Sequence, residues 1–368
     1  MVCFCKLTYP AVSDVDASEW QLAGSNVVEP SSLDVSKANI NAKFKVYNAD
    51  YKDPEFFSAE NSGLVVNKAL WAAAPAPVCN AWTLAIERGT APPDEESTSE
   101  PKITEQVLKT AKFLAHRLQD VYVFYDECFG WRGRGNRRNR GNLRWPPSGF
   151  INWAEEDNAV FDGAGDWGRG CVAFGVPALA NVSNHDANLA RVLDCVGHEC
   201  THAVIQFTTD LDYSKQSGAL NESLADCFGI MVKHWKLRQR DPNTADWTFC
   251  SGINYPYANG FRNLKNPGAY SQPWHMDGYD ELGGEDNYGV HHNSGIPNCA
   301  FYYAAVEIGR PTWQTLGEIW FKAMTDTQRV AKNSTFREFA EVTIYHSPAE
   351  FESQVRKAWE LVGVLPVA

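Results

Sequence analysis

Two histidines four positions apart, His198 and His202, lie in the run VGHECTHAV with Glu199 between them. Glu222 follows twenty residues after His202 in GALNESLAD. On a helix, residues i and i+4 share a face with Cβ atoms about 5–6 Å apart, so both imidazoles can reach one metal ion. Two histidine nitrogens and a carboxylate form the ligand set of a catalytic zinc, which keeps a further position open for water. Glu199 follows the first histidine, is not needed as a ligand, and is placed to act as a base. The chemistry this set supports is hydrolysis by an activated water.

Such a set works only if rigid elements hold it. Leu189, Val192, Leu193, Val196, Cys200, Ala203, Val204 and Phe207 fit one helical stripe, which predicts a helix over 186–207 with Asp186 as its N-cap. Asp194, His198 and His202 form an adjacent i, i+4 row. Three polar groups in one row of a buried helix need partners, and a metal can serve two of them. Cys200 lies two positions past His198, pointing away from that row, and reads as a small apolar residue. Glu222 falls on a second helical stretch, 217–237.

VGHECTHAV, Tyr213 within DYSKQSGALNESLADCFG, and EDNYGVHHNSGIPNCAFYY together resemble the thermolysin family of zinc endopeptidases. The resemblance runs from about residue 102 to the C-terminus. It is nearest the short, protealysin-like branch, on IMVKHWK, ADW and FRNLKNPGAY. One-zinc aminopeptidases place the third-ligand glutamate one residue nearer, and metzincins need a third histidine where AVIQFTT follows His202. The resemblance implies an α+β, two-lobed fold. A β-rich N-terminal lobe, 43–207, ends in the zinc helix, and a helical lobe covers 208–368. Residues 1–42 are expected to be an N-terminal extension or short prosegment, since FKVYNAD at 44–50 resembles the start of the branch's mature chain.

Carried over position by position, the resemblance implies a full site. His198, His202 and Glu222 bind one Zn²⁺, and Glu199 is the general base. Tyr213 and His291 bond the developing oxyanion. Asp286 orients His291, and Asp226 holds the first zinc histidine. Arg262 clamps a substrate carbonyl, and Asn152 binds substrate backbone from an edge strand. Cys195 and Phe261 fall where the family lines its apolar side-chain pocket, which implies cleavage on the amino side of a bulky hydrophobic residue. Taken singly, a Tyr, Arg or Asn is more often a surface or capping residue. The family's double calcium site is expected to be absent. Asp194 and Asp246 stand at ligand positions, but Lys233 replaces a shared glutamate, and Thr248 and Ser251 occupy further positions. A Lys233–Asp194 ion pair is expected instead, leaving room for a single calcium elsewhere.

The rest of the chain bounds these expectations. With 368 residues, 44% hydrophobic, it can bury a sizeable core. A net charge of −12 argues against general nucleic-acid binding. No run of about eighteen apolar residues occurs to span a membrane. The partner expected is a peptide or protein substrate, and the chain is expected to be a monomer. Arg132, Arg134, Arg137, Arg138, Arg140 and Arg144 crowd into WRGRGNRRNRGNLRW. That run reads as a solvated hairpin tip or, alternatively, an anion-binding loop. APPDEESTSEP is an exposed loop. The N-terminus lacks a secretory h-region, whereas the resemblance suggests an extracellular protein. Ten cysteines could form five disulfides, although Cys195, Cys200 and Cys227 on the two active-site helices suit free thiols. Further helices are expected over 102–120, 293–308, 311–326, 334–345 and 348–361, the last two starting at Ser334 and at Ser347-Pro348. The rival functional reading is a catalytically silent, zincin-fold binding protein.

Overall fold

The computed structural model describes residues 2–4, 46–48, 105–133, 145, 147–151, 158–162, 171–174, 189–251 and 259–367. Most of the expected extension 1–42, the loop APPDEESTSEP, Asp186 and the arginine run beyond Gly133 up to Arg144 lie outside them.

The apolar stripe predicted to end near 120 continues through Leu114, Leu118, Val121, Phe124 and Tyr125, all buried. The helix therefore continues as α1, Glu105–Phe129. Gly130 (φ +65) ends it, with its N–H bonded to Asp126 O at 2.9 Å. Five short strands make one sheet: β1 (Val2–Phe4), β2 (Val46–Asn48), β3 (Ser148–Ile151), β4 (Ala159–Asp162) and β5 (Cys171–Phe174). Their order is β1-β4-β5-β3-β2. β3 lies parallel to β2 and β5, whereas β4 runs antiparallel to β5 and β1.

The zinc-motif helix α2 spans Leu193–Gln206. It starts later than the pattern predicts, because Leu189–Arg191 form a 3₁₀ turn and Val192 is extended (φ −93, ψ 115). Beyond it come α3 (Lys215–Leu237), a two-stranded ribbon of β6 (Thr248–Phe249) and β7 (Arg262–Asn263), and α4 (Glu285–Asn293). The chain closes with α5 (Gly295–Ile308), α6 (Thr315–Thr325), α7 (Phe336–Tyr345) and α8 (Glu352–Leu361). The architecture is α+β and two-lobed, with α2 between the sheet lobe and the helical lobe. One connected apolar cluster joins them, from Leu114, Phe161 and Phe174 to Trp320, Trp359 and Leu365. Burying each such side chain stabilises by about 1.5–3 kcal/mol.

Two helix starts differ from expectation for local reasons. Thr335, not Ser334, caps α7: its Oγ1 accepts from Glu338 N while the Glu338 side chain accepts from Thr335 N, a reciprocal capping box. Pro348 starts a turn closed by Phe351 N–H to Pro348 O at 2.8 Å, so α8 begins only at Glu352. Helix α4 was not anticipated. Its residues Asp286, Asn287, Tyr288 and Gly289 are all left-handed, a conformation that apolar periodicity does not signal.

Candidate metal centre and its surroundings

Helices α2 and α3 cross where both carry glycine. A Cβ on Gly197 would stand 3.1 Å from Gly229 Cα, and one on Gly229 would stand 2.4 Å from Asp194 O. This close approach lets Glu222, from α3, reach the two histidines of α2. His198, Glu199, His202, Glu222 and Asp226 are all buried.

The two ring nitrogens of each histidine are differentiated by partners on α3. His198 Nδ1–H donates to Asp226 Oδ1 at 2.9 Å, and His202 Nδ1–H donates to Asn221 Oδ1 at 2.7 Å. Both Nε2 atoms therefore present lone pairs, and they face each other at 3.0 Å. Glu222 brings Oε2 to 3.5 Å from His198 Nε2 and Oε1 to 3.5 Å from His202 Nε2. Glu222 Oε2 is buried and makes no hydrogen bond. Three acceptors converging in a dry site repel one another unless a cation lies among them. The donor set fits zinc, with ligand atoms all within 4.8 Å of one another.

The charges agree. Burial opposes ionisation of Glu222, but His291, His202, His198 and Arg262 outweigh it and hold the carboxyl down at about 2. Burial pushes His202 down to about 4, against the pull of Glu222. Near neutral pH the carboxylate is charged and that imidazole neutral, the forms a divalent cation requires. Asp226 is likewise held well below the usual carboxylate range: burial opposes this, while Arg262 and His198 overcome it. Arg262 forks it, with Nε to Oδ2 at 2.8 Å and Nη2 to Oδ1 at 2.6 Å, and Asn298 Nδ2 adds a bond to Oδ2 at 2.9 Å.

On the other side of Glu222, Tyr213 donates its hydroxyl to Oε1 and lies 3.1 Å from His291 Nε2. That Nε2 is 3.5 Å from the same Oε1. His291 is fixed twice by one side chain, its Nδ1 2.5 Å from Asp286 Oδ1 and its backbone N–H donating to Oδ2 at 2.9 Å. The left-handed turn through Gly289 folds Asp286 back to make both contacts. Asn293 braces that turn, accepting from Asp280 N at 3.1 Å and donating to Asp280 O at 2.6 Å.

A second polar cluster bridges the same two helices. Lys233 Nζ, from α3, lies 3.0 Å from Asp194 Oδ2 and 3.1 Å from Asp246 Oδ2. It also donates to Thr248 O and, at 3.5 Å, to Ser251 Oγ. Asp194 further accepts from Cys195 N at 3.0 Å and Cys250 N at 3.1 Å.

The structure thus gathers His198, Glu199, His202, Tyr213, Glu222, Asp226, Arg262, Asp286 and His291 around one point. Asn152 lies outside the described residues. Arg262 sits within this group through its fork on Asp226, a contact that spacing alone could not reveal. Three neighbours went unread in the sequence. Asn221 adjoins Glu222, and that adjacency was the available signal. Asn298 has none. Phe249 of β6 sets its ring at a tilt to that of His198, centroids 5.1 Å apart, with the Arg262 guanidinium 4.5 Å above it.

Residues 209–364 match the family described as thermolysin metallopeptidase, alpha-helical domain. The chain is 36% identical over 266 residues to Protease PrtS of Photorhabdus sp. (strain Az29), covering 67% of this chain and 66% of that one. It is 42% identical over 190 residues to an extracellular metalloprotease of Pectobacterium carotovorum subsp. carotovorum, covering 47% of this chain and 53% of that one. Among solved structures, the precursor of protealysin, a metalloproteinase from Serratia proteamaculans, superposes with a TM-score of 0.63 at 25% identity, covering 87% of both chains. In sequence and in fold the chain is similar to the thermolysin-like metallopeptidases. Its matches span just under two thirds of the first of these relatives and about half of the second.

Proposed function

We propose that the protein is a zinc-dependent endopeptidase. The observation that carries this reading is the convergence of His198 Nε2, His202 Nε2 and the unbonded Glu222 Oε2, with Glu199 next in sequence on the same buried helix turn. His198, His202 and Glu222 hold the metal, and Asp226 and Asn221 fix the two rings. Zinc in that position lowers the pKa of water from 15.7 toward about 7. Glu199 takes the proton of the attacking water and passes it to the departing amine. Tyr213 and His291, aimed at one point beside Glu222 Oε1, donate to the carbonyl oxygen as its charge grows, and Asp286 keeps His291 in register. Arg262, whose Nε and Nη2 hold Asp226, clamps a substrate carbonyl with the outer side of its guanidinium. Asn152 pairs with substrate backbone.

Cleavage falls on the amino side of a bulky hydrophobic residue, whose pocket Cys195, Phe249 and Phe261 help to wall. The lobes divide at 207/208, and residues 1–42 are an extension or prosegment ahead of the catalytic part. The protein acts outside the cell, in keeping with the extracellular metalloprotease it resembles, and works as a monomer. No double calcium site forms, because the Lys233 ammonium occupies the space between Asp194 and Asp246.

A peptide with one internal Phe or Leu, incubated with the purified chain, should be cut on the amino side of that residue. 1,10-Phenanthroline should abolish the cleavage and added zinc should restore it. Cleavage that survives demetallation would overturn the reading, and no cleavage of any peptide by the zinc-loaded chain would favour a silent binding protein.

A further inference from the structure

Asp226 is more heavily bonded than the orienting of one imidazole requires. Its Oδ1 accepts from His198 Nδ1 at 2.9 Å and Arg262 Nη2 at 2.6 Å, and its Oδ2 accepts from Arg262 Nε at 2.8 Å and Asn298 Nδ2 at 2.9 Å. Asn298, 1% exposed, faces only the protein interior. Its Oδ1 accepts from the free thiol of Cys227 at 3.7 Å, and that sulfur lies 3.8 Å from Ser223 Oγ. The amide cannot be turned over, because the carboxylate in front of it only accepts.

Asn298 reaches this point because of how α4 and α5 lie along α3. Ser294 between them is right-handed (φ −59, ψ −21). Its N–H bonds Val290 O at 3.3 Å, and its O receives the N–H of Asn298 at 3.0 Å. The helix therefore runs on from Val290 into α5, and His291 and Asn298, about two turns apart, share a face. On α3, Gly218, Glu222 and Asp226 form a row of successive i, i+4 steps. The two rows meet at three levels. A Cβ on Gly218 would stand 2.4 Å from Val290 Cγ1, His291 Nε2 is 3.5 Å from Glu222 Oε1, and Asn298 bonds Asp226.

We infer that Asn298 is a positioning residue of the metal centre, holding Asp226 so that His198 keeps its Nε2 lone pair on the point it shares with His202 and Glu222. This role rests on the zinc centre proposed above. Arg262 also grips Asp226, but from a strand of two residues, and the same guanidinium is the one offered to substrate. Asn298 acts from within a helix of 14 residues, so its hold stays the same whether substrate is bound or gone. Without it, a buried carboxylate oxygen loses a donor. Asp226 and Arg262 can then shift as a pair, carrying the His198 ring with them.

Asn298→Leu keeps the branched shape and removes the donor. Zinc affinity is read on the full chain by competition with a chromophoric chelator, and the metal-free chain is melted separately. The variant should bind zinc about tenfold more weakly, the low end of the range for groups that support a metal ligand from behind, because Arg262 still holds Asp226. With Co²⁺ in place of zinc, its visible absorption bands should shift, since they report ligand geometry and a packing role alone would leave them in place. Asn298→Ser, too short to reach Asp226, should also bind zinc more weakly, and it decides the matter if the leucine variant does not fold. Affinity within about twofold of the unaltered chain, with unshifted cobalt bands, would overturn the inference whatever happens to the melting temperature. An unaltered chain that takes up no zinc would instead overturn the metal centre itself, and this role of Asn298 with it.

Discussion

Helices α2 and α3 are joined by two buried polar clusters whose electrostatics are solved in different ways. In one, His198, His202 and Glu222 turn three acceptor atoms toward a common point, and the cation must come from solution. In the other, Asp194 and Asp246 face a cation that the chain itself supplies, the Lys233 side-chain ammonium. The contrast separates chemistry from architecture. A metal ion can polarise a substrate because it keeps an open coordination position. An ammonium of three donors, spent here on Asp194, Asp246 and the Thr248 carbonyl with Ser251 at longer range, has nothing left to offer. On the proposed function the first cluster is built to react, and the second holds the helices together.

The sharpest way to break that comparison is to alter the first cluster. His202→Ala should leave the chain folded and strip it of zinc and activity together. Glu199→Gln should retain zinc, measured by atomic absorption, and lose at least about a hundredfold in kcat with its base. Equal loss of zinc in both would mean that Glu199 is a ligand and that the division of labour above is wrong. Asp226→Asn lies between them: it weakens the grip on His198 and should cost about 10- to 100-fold in zinc affinity.

The second cluster should respond in stability rather than rate. Lys233 and Asp194 side chains are 8% and 1% exposed. Lys233→Met leaves Asp194 charged, buried and without its ammonium, a loss of about 3–5 kcal/mol. Denaturant melts should show this while zinc stoichiometry stays at one. Combining Lys233→Met with Asp194→Asn should cost less than the two single changes added, since each group is a burden mainly when left alone. Strict additivity would mean the two charges do not interact.

How far this could be read from the sequence follows the same division. The meeting of His198, His202 and Glu222 was legible because a helix converts an i, i+4 spacing into a shared face, and the resemblance to thermolysin pointed to the carboxylate. Lys233 was legible as a substitution at a position where a carboxylate is expected. The left-handed run through Asp286–Gly289 was not, because it follows from backbone dihedrals that carry no apolar period. Nor was the late start of α2, where a 3₁₀ turn keeps the buried stripe through Leu189 while breaking the helix before Leu193. Phe249 escaped notice because a two-residue strand offers no alternation to read.

The smallest effect is the most discriminating for the second cluster. Burial works against the Lys233 ammonium, yet Asp194 and Asp246 raise its proton affinity above the ordinary value. Its contribution is complete below the unfolded lysine pKa near 10.4 and is lost as pH rises through the higher folded value. Asp246 is shifted downward, with burial opposed and outweighed by Lys233 and Ser251. Its share is complete above the unfolded value near 3.9 and is lost as pH falls through the lower folded one. Between about pH 5 and pH 9 the cluster should therefore need no outside cation. Thermal melts in that window, with zinc held constant, should agree within about 2 °C between calcium-free and millimolar-calcium buffer. A calcium-bound fold would instead gain stability as RT ln(1 + [Ca²⁺]/Kd). A rise of ten degrees or so, present in the unaltered chain and persisting in Lys233→Met, would place a structural calcium elsewhere. A rise appearing only in Lys233→Met would show that removing the ammonium opens the two aspartates to the ion it replaces.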